Sequence, residues 1–97
     1  MGAFAYVGNA VDAAGYRLAG VPSWAPDRGA ELAAFRAARA SAEAVFITFA
    51  VAEHLPREEL DAALAGDRPV VVLIPESDGA SPLEPAERVR AQLGLEP

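Results

Sequence analysis

Apolar positions along the chain gather into four runs separated by segments of helical periodicity. The runs are Ala3–Gly8 "AFAYVG", a short and weak Gly20–Ala25 "GVPSWA", Ala44–Ala50 "AVFITFA" and Pro69–Pro75 "PVVVLIP". The third and fourth are near-continuous and rich in β-branched and aromatic residues, the pattern of strands covered on both faces of a parallel sheet. Between the second and third runs, Asp27–Ser41 carries Leu32, Phe35 and Ala38 at three-residue steps, with Arg36 and Arg39 turned outward. Pro56–Ala65 has proline at a first-turn position, Glu58 and Glu59 near the positive helix end, Leu60, Ala63 and Leu64 as a buried face, and Gly66 as a stop. A turn-rich linker, Glu76–Pro85 "ESDGASPLEP", then leads to a short final helix, "AERVRAQLG". Strands alternating with helices over short links predict a βαβ-built α/β fold. The expected form is a small Rossmann-like three-layer domain over residues 1–75, a four-stranded parallel sheet with helices on both faces. Residues 76–97 are read as a loose linker and a C-terminal partner-docking helix.

The segment Val7–Val21, "VGNAVDAAGYRLAGV", joins the first two runs and tests for a phosphate loop, because a glycine between a first strand and a helix is where such loops are built. The glycines fall at Gly8, Gly15 and Gly20, which fits neither G-x-G-x-x-G nor a Walker pattern. Asn9 can cap the following helix and puts Asp12 at its third position, so a carboxylate already stands where a phosphate would bind. Val11, Ala14, Gly15 and Leu18 form one i, i+3, i+4, i+7 stripe, which predicts the buried face of this helix. Gly15 within that stripe is expected to let the helix approach the sheet closely, and Gly20 to end it in a left-handed conformation. Gly8, Gly15 and Gly20 are thus structural positions, and the segment is a joint of the fold.

Composition narrows the function. The 97 residues suit one domain, are 53% hydrophobic, and contain no apolar run approaching the ~20 residues of a membrane span. The N-terminus lacks the basic region of a secretion signal. Net charge is −6 and every one of the eight basic residues is arginine, which disfavours sequence-independent nucleic-acid binding. Without lysine there is no P-loop lysine and no Schiff base, and without cysteine no disulfide, thiolate nucleophile or cysteine zinc site. No cofactor and no metal are expected.

The remaining candidates for chemistry are few. His54, the single histidine, stands beside Glu53 and could act as an acid–base pair, but no G-x-S-x-G elbow supplies a nucleophile, and a loop or helix-start residue is the simpler reading. Glu58, Glu59 and Asp61 could suggest a divalent cation and equally suit the N-terminal half of a helix. A phosphoacceptor receiver resembling the bacterial chemotaxis regulator would need paired acids after the first strand, an aspartate ending the third and a lysine after a fifth. This chain has Gly8-Asn9-Ala10, Thr48-Phe49-Ala50 and no lysine. Trp24, between Pro22 and Pro26, reads either as a partner-facing anchor or as cover for a sheet edge. In the last helix Ala86, Val89 and Leu93 share a face, extended by Leu95, with Glu87, Arg88 and Arg90 elsewhere. Such a terminal helix docks on a partner or folds back on its own domain.

Three ordered blocks resemble the F-subunit family of the V-type and archaeal-type rotary ATPases. Gly15-Tyr16-Arg17-Leu18-Ala19-Gly20-Val21 resembles that family's "GFRLAGV". "AVFITFAVAEHLPREELD" (Ala44–Asp61) resembles its apolar strand, "IT", small helix ending "AE" and "I-R-E-E-I-D". "PVVVLIPESDG" (Pro69–Gly79) is similar to its proline-led last strand, and "ERVRAQLGLEP" to its "…V…ALG" tail. Asn9, Phe49 and Leu73 depart from it, standing where members commonly carry an acidic, a polar and a glutamate residue. The resemblance implies a non-catalytic central-stalk (rotor) subunit that binds the coiled-coil shaft protein of the motor and rotates with it. It also implies transient contact with the catalytic head subunits and the membrane-side stalk subunit, and a cytoplasmic position peripheral to the membrane. Leu83, Val89 and Leu93 would be apolar anchors on the shaft, and Arg88 and Arg90 would form salt links. The alternative is a degenerate receiver-like interaction domain without phosphoacceptor chemistry.

Overall fold

A computed structural model of the chain describes residues 2–76. The elements run β1 (Gly2–Val7), α1 (Ala10–Leu18), β2 (Ser23–Trp24), α2 (Glu31–Ser41), β3 (Ala42–Thr48), α3 (Phe49–Ala52), α4 (Arg57–Ala65) and β4 (Val70–Ile74). All strands pair in parallel, in the order β2-β1-β3-β4. The domain is the α/β fold with a small Rossmann-like sheet that the alternation of elements predicts. Two boundaries differ from the apolar runs. The third strand starts two residues earlier, and Phe49 and Ala50 leave it for α3, because the Thr48 hydroxyl accepts from the Val51 N–H and starts a helical turn. The second strand shrinks to Ser23–Trp24 at the sheet edge.

Register sorts the strand side chains into rows. On one face lie Ala5, Val45 and Val71, then Val7, Ile47 and Leu73. α2 covers this face with Ala34, Phe35 and Ala38, and α4 with Ala63 and Leu60, giving the main core. A bidentate pair, Arg36 to Glu59 at 2.7 and 2.9 Å, ties the two helices together outside it. Arg39 does not turn fully outward as its spacing predicts. Its guanidinium lies 5.5 Å from the centre of the Phe35 ring, a cation–π contact. Leu64, expected on the buried face of α4, is 39% exposed.

The opposite face carries the rows Phe4, Ala44, Val70 and Tyr6, Phe46, Val72. α1 covers it over β1 and β2: Tyr16 stacks on Tyr6 at 4.4 Å and meets Phe4 edge-on at 6.4 Å. Burial falls away from there, from Tyr6 at 1% exposed, through a half-buried Phe46, to Val72 at 37% and Val70 at 50%. Among the described residues, then, the two faces are unequally covered, although β4 is as apolar as a strand buried on both.

The phase of α1 corrects the stripe expectation. Val11 and Leu18 are 81% and 91% exposed, and Ala14 and Gly15 are exposed beside them. Ala13 and Tyr16 face the sheet instead. The Asn9 cap sets this rotation: its Oδ1 accepts from the Asp12 N–H at 2.7 Å and its amide donates to the Asp12 carboxylate at 3.0 Å. Tyr16, one turn on, is thereby laid on Tyr6, and Arg17 donates to the Ser23 carbonyl at 3.0 Å. Gly15 consequently does not serve contact between helix and sheet, since a Cβ there would meet nothing within 4 Å. Gly15→Ala is expected to raise the unfolding free energy by ~0.5–1 kcal/mol through helix propensity alone. A lower urea midpoint in that variant would restore the contact role. Gly20, with φ +87°, ends the helix in the left-handed region.

Candidate functional site

Parallel α/β sheets bind ligands at the carboxyl ends of the strands, where successive connections leave in opposite directions. Here that point lies between β1 and β3. It forms a crevice of about 230 Å³ bounded by Gly8, Asn9, Glu31, Thr48, His54 and Glu76. Each polar group in it is supplied by the end of an element. Gly8 follows β1 and donates to the Trp24 carbonyl at 3.0 Å, while Asn9 begins α1. Thr48 ends β3, and Glu76 follows β4.

The backbone donors at this rim are taken by the chain's own side chains. Asn9 caps α1, and Thr48 Oγ1 accepts from the Val51 N–H at 3.4 Å. The Glu76 carboxylate accepts from the Ala50 N–H at 2.8 Å, and Glu31 accepts from the Gly29 N–H at 2.8 Å. Hydrogen bonds from its own N–H and that of Gly29, aided by the His54 and Arg28 charges, hold the Glu31 carboxyl below the usual range. A phosphate would need these N–H groups free and would meet the Glu31 and Glu76 carboxylates, so the crevice is ill suited to an anion. Thr48 is 1% exposed and its hydroxyl is engaged, which removes it as a nucleophile. His54 stands exposed on the rim in the turn after α3. The described residues include no group of three or more His, Cys, Asp or Glu arranged to hold a metal ion.

Tyr6 stands against Gly8 on the α1 side of the sheet. Burial, and next the neighbouring Asp12 charge, push its phenol up from 10.0 to about 12. A group whose folded pKa is raised contributes stability that is full below its unfolded pKa and is lost as pH climbs through the folded one. An alkaline loss of stability between pH 10 and about 12 is therefore expected, along with a late-titrating tyrosinate in the absorbance spectrum. Tyr6→Phe should remove both, and a Tyr6 phenol titrating with a midpoint at the ordinary 10.0 would contradict its burial.

The other sequence candidates separate in space. Glu59 pairs with Arg36, whose hydrogen bonds hold the Glu59 carboxyl below its usual range, and Asp61 lies 3.4 Å from Arg57. Glu58 is exposed, so this acidic group does not converge on one point. Trp24 is half-buried and packs against the main core from the edge strand. Gly8 sits in the tightest place, where a Cβ would overlap the Tyr6 phenol and the Thr48 methyl. The interface candidates Leu83, Arg88, Val89, Arg90 and Leu93 lie outside the described residues. Sequence reading missed the cap made by Glu76, because it acts on a backbone group placed by chain folding; it also missed the local bond from the Gly29 N–H to Glu31. Asn9 was legible because its partner is three residues away.

Compared with family models, curated proteins and solved structures, the chain matches none. Among the described residues no helix is long and apolar enough to cross a membrane.

Proposed function

We propose that this chain is a non-catalytic central-stalk subunit of a V/A-type rotary ATPase, a counterpart of the F-subunit family that grips the coiled-coil shaft protein and helps couple ATP turnover to ion transport. The observation that carries this reading is the ordered resemblance of three sequence blocks spread along the chain. Its physical support is a strand-end crevice whose helix-starting N–H groups are capped by Asn9, Thr48 and Glu76. A rigid parallel sheet suits a part that transmits torque, because its strands are tied through backbone pairing across all four positions. In this reading the shaft is met by the strand-end edge and by the segment carrying Leu83, Arg88, Val89, Arg90 and Leu93, outside the described residues. The protein works on the cytoplasmic side, peripheral to the membrane, with transient contacts to the catalytic head subunits and the membrane-side stalk subunit.

The sheet order also suits a degenerate receiver-like domain that binds a partner without phosphorylation. Co-expression with the shaft-type coiled-coil protein separates the two. A stable one-to-one complex that co-elutes and lacks ATPase turnover until head subunits are added is the expected result. A phosphoryl-aspartate, a co-purifying nucleotide or turnover by the chain alone would overturn it.

A further inference from the structure

The sheet ends in β4, which among the described residues has no strand on its outer side. Its row Val70, Val72 and Ile74 lies on the face that α1 leaves open, with Val70 50% and Val72 37% exposed. An apolar edge of this kind offers unpaired N–H and C=O groups to another strand. The opposite edge is built differently: β2 has two residues, and the Ser23 carbonyl is already held by Arg17 at 3.0 Å. A head-to-tail contact of one edge with the other is therefore poorly served, and β4 is left to pair with its own kind.

The segment around β4 is self-complementary about Val72. Outward from that residue, Val71 is matched by Leu73, Val70 by Ile74, Pro69 by Pro75 and Arg68 by Glu76. Antiparallel pairing across a two-fold axis at Val72, perpendicular to the sheet, sets each residue opposite its match. Val72 then meets Val72 of the second copy and Val70 meets Ile74, all on the open face, because opposed residues of a ladder share a face. Proline at each end lacks an N–H and stops the ladder at the five residues of β4, about 17 Å. Beyond the ladder Arg68, exposed and without an ion-pair partner among the described residues, comes to the Glu76 carboxylate of the second copy. One oxygen of that carboxylate holds the Ala50 N–H, which leaves the other for the guanidinium. Moving the axis to Val71 or Leu73 would set a proline against a ladder residue and part the charges.

We propose that β4 is a self-association edge, at which two copies of the chain pair antiparallel about Val72 and continue one sheet into the other. Pairing of this kind is a property of the isolated chain and is independent of the rotor reading. It covers the exposed side chains of β4 and gives Arg68 its carboxylate.

In sedimentation velocity the full chain is expected to pass from monomer to dimer between about 1 and about 500 µM, as suits an interface at the small end of the specific range. Val72→Lys sets two like charges face to face at the axis and should weaken association more than ~ten-fold. Val11→Lys, at an 81% exposed site on α1, should leave it unchanged. Far-UV circular dichroism of both variants checks that the fold is kept. Single cysteines read the register, cleanly because the chain has none of its own. On oxidation Val72→Cys should form a disulfide-linked dimer on the order of ten-fold faster than Val70→Cys, since two copies of residue 70 would stand about 13 Å apart along the ladder. Position 70 is the more exposed of the two, so random collision predicts the reverse order. A chain that stays monomeric throughout the range would overturn the proposal. So would association indifferent to Val72→Lys, or a disulfide rate at position 70 equal to or above that at 72.

Discussion

Gly8→Ala is expected to lower the unfolding free energy by about 2–3 kcal/mol, at the upper end of the cost of overfilling a packed site. A Cβ at this position would overlap the Tyr6 phenol and lie 2.6 Å from the Thr48 methyl. Neither neighbour can yield cheaply, since each is 1% exposed and Tyr6 is stacked on Tyr16 at 4.4 Å. Displacing Thr48 would also disturb the cap of α3, and with it the Ala50 N–H held by Glu76. Urea unfolding of Gly8→Ala, Tyr6→Phe and the double variant measures the clash itself. Removing the phenol oxygen should recover part of the loss, giving a coupling energy of about 1 kcal/mol between these touching positions. A loss in Gly8→Ala below ~0.5 kcal/mol would mean that the strand ends are loosely packed. That would weaken the view of the crevice as filled by its own side chains.

The second large effect lies on the other face. Phe35→Ala is expected to cost about 3–5 kcal/mol, the usual penalty for emptying an aromatic site in a core. The ring is fully buried between α2 and the rows of β1 and β3, and it also supports the guanidinium of Arg39. Against a total stability of roughly 5–15 kcal/mol for a domain of this kind, the variant should be close to unfolding at room temperature. Leu18→Ala makes the sharpest comparison, because both residues occupy apolar helical stripes in the sequence. Leu18 is 91% exposed, so its change should stay within ~0.5 kcal/mol. Chemical denaturation of both variants under one set of conditions checks the pair. Equal losses would contradict the observed phase of α1.

Those two helices divide what could be read in the chain from what could not. In α2 the apolar positions Leu32, Phe35 and Ala38 face the sheet as their spacing predicts. In α1 the matching stripe of Val11, Ala14, Gly15 and Leu18 faces away. Periodicity says that a segment is helical and which residues share a side, but it does not say which of two usable sides meets the sheet. In α1 a local cap and one aromatic stack decided the matter. Tyr16 offers the sheet a larger contact than the aliphatic stripe does, and Asn9 and Asp12 lock the rotation that presents it.

The alternation of strands and helices, the parallel sense of the sheet, the Asn9 cap and the left-handed stop at Gly20 follow from the sequence by itself. Each depends on residues within a few positions of one another, or on a composition that only a mostly buried strand tolerates. The tertiary structure alone decided the rotation of α1, the cap made by Glu76, and the tight seat of Gly8 under Tyr6 and Thr48. It also decided the unequal covering of the two sheet faces. Glu76 reaches a backbone N–H twenty-six positions away, and Gly8 is confined by a side chain from the neighbouring strand. Contacts of that reach exist only once the strands are in register, so no local pattern encodes them.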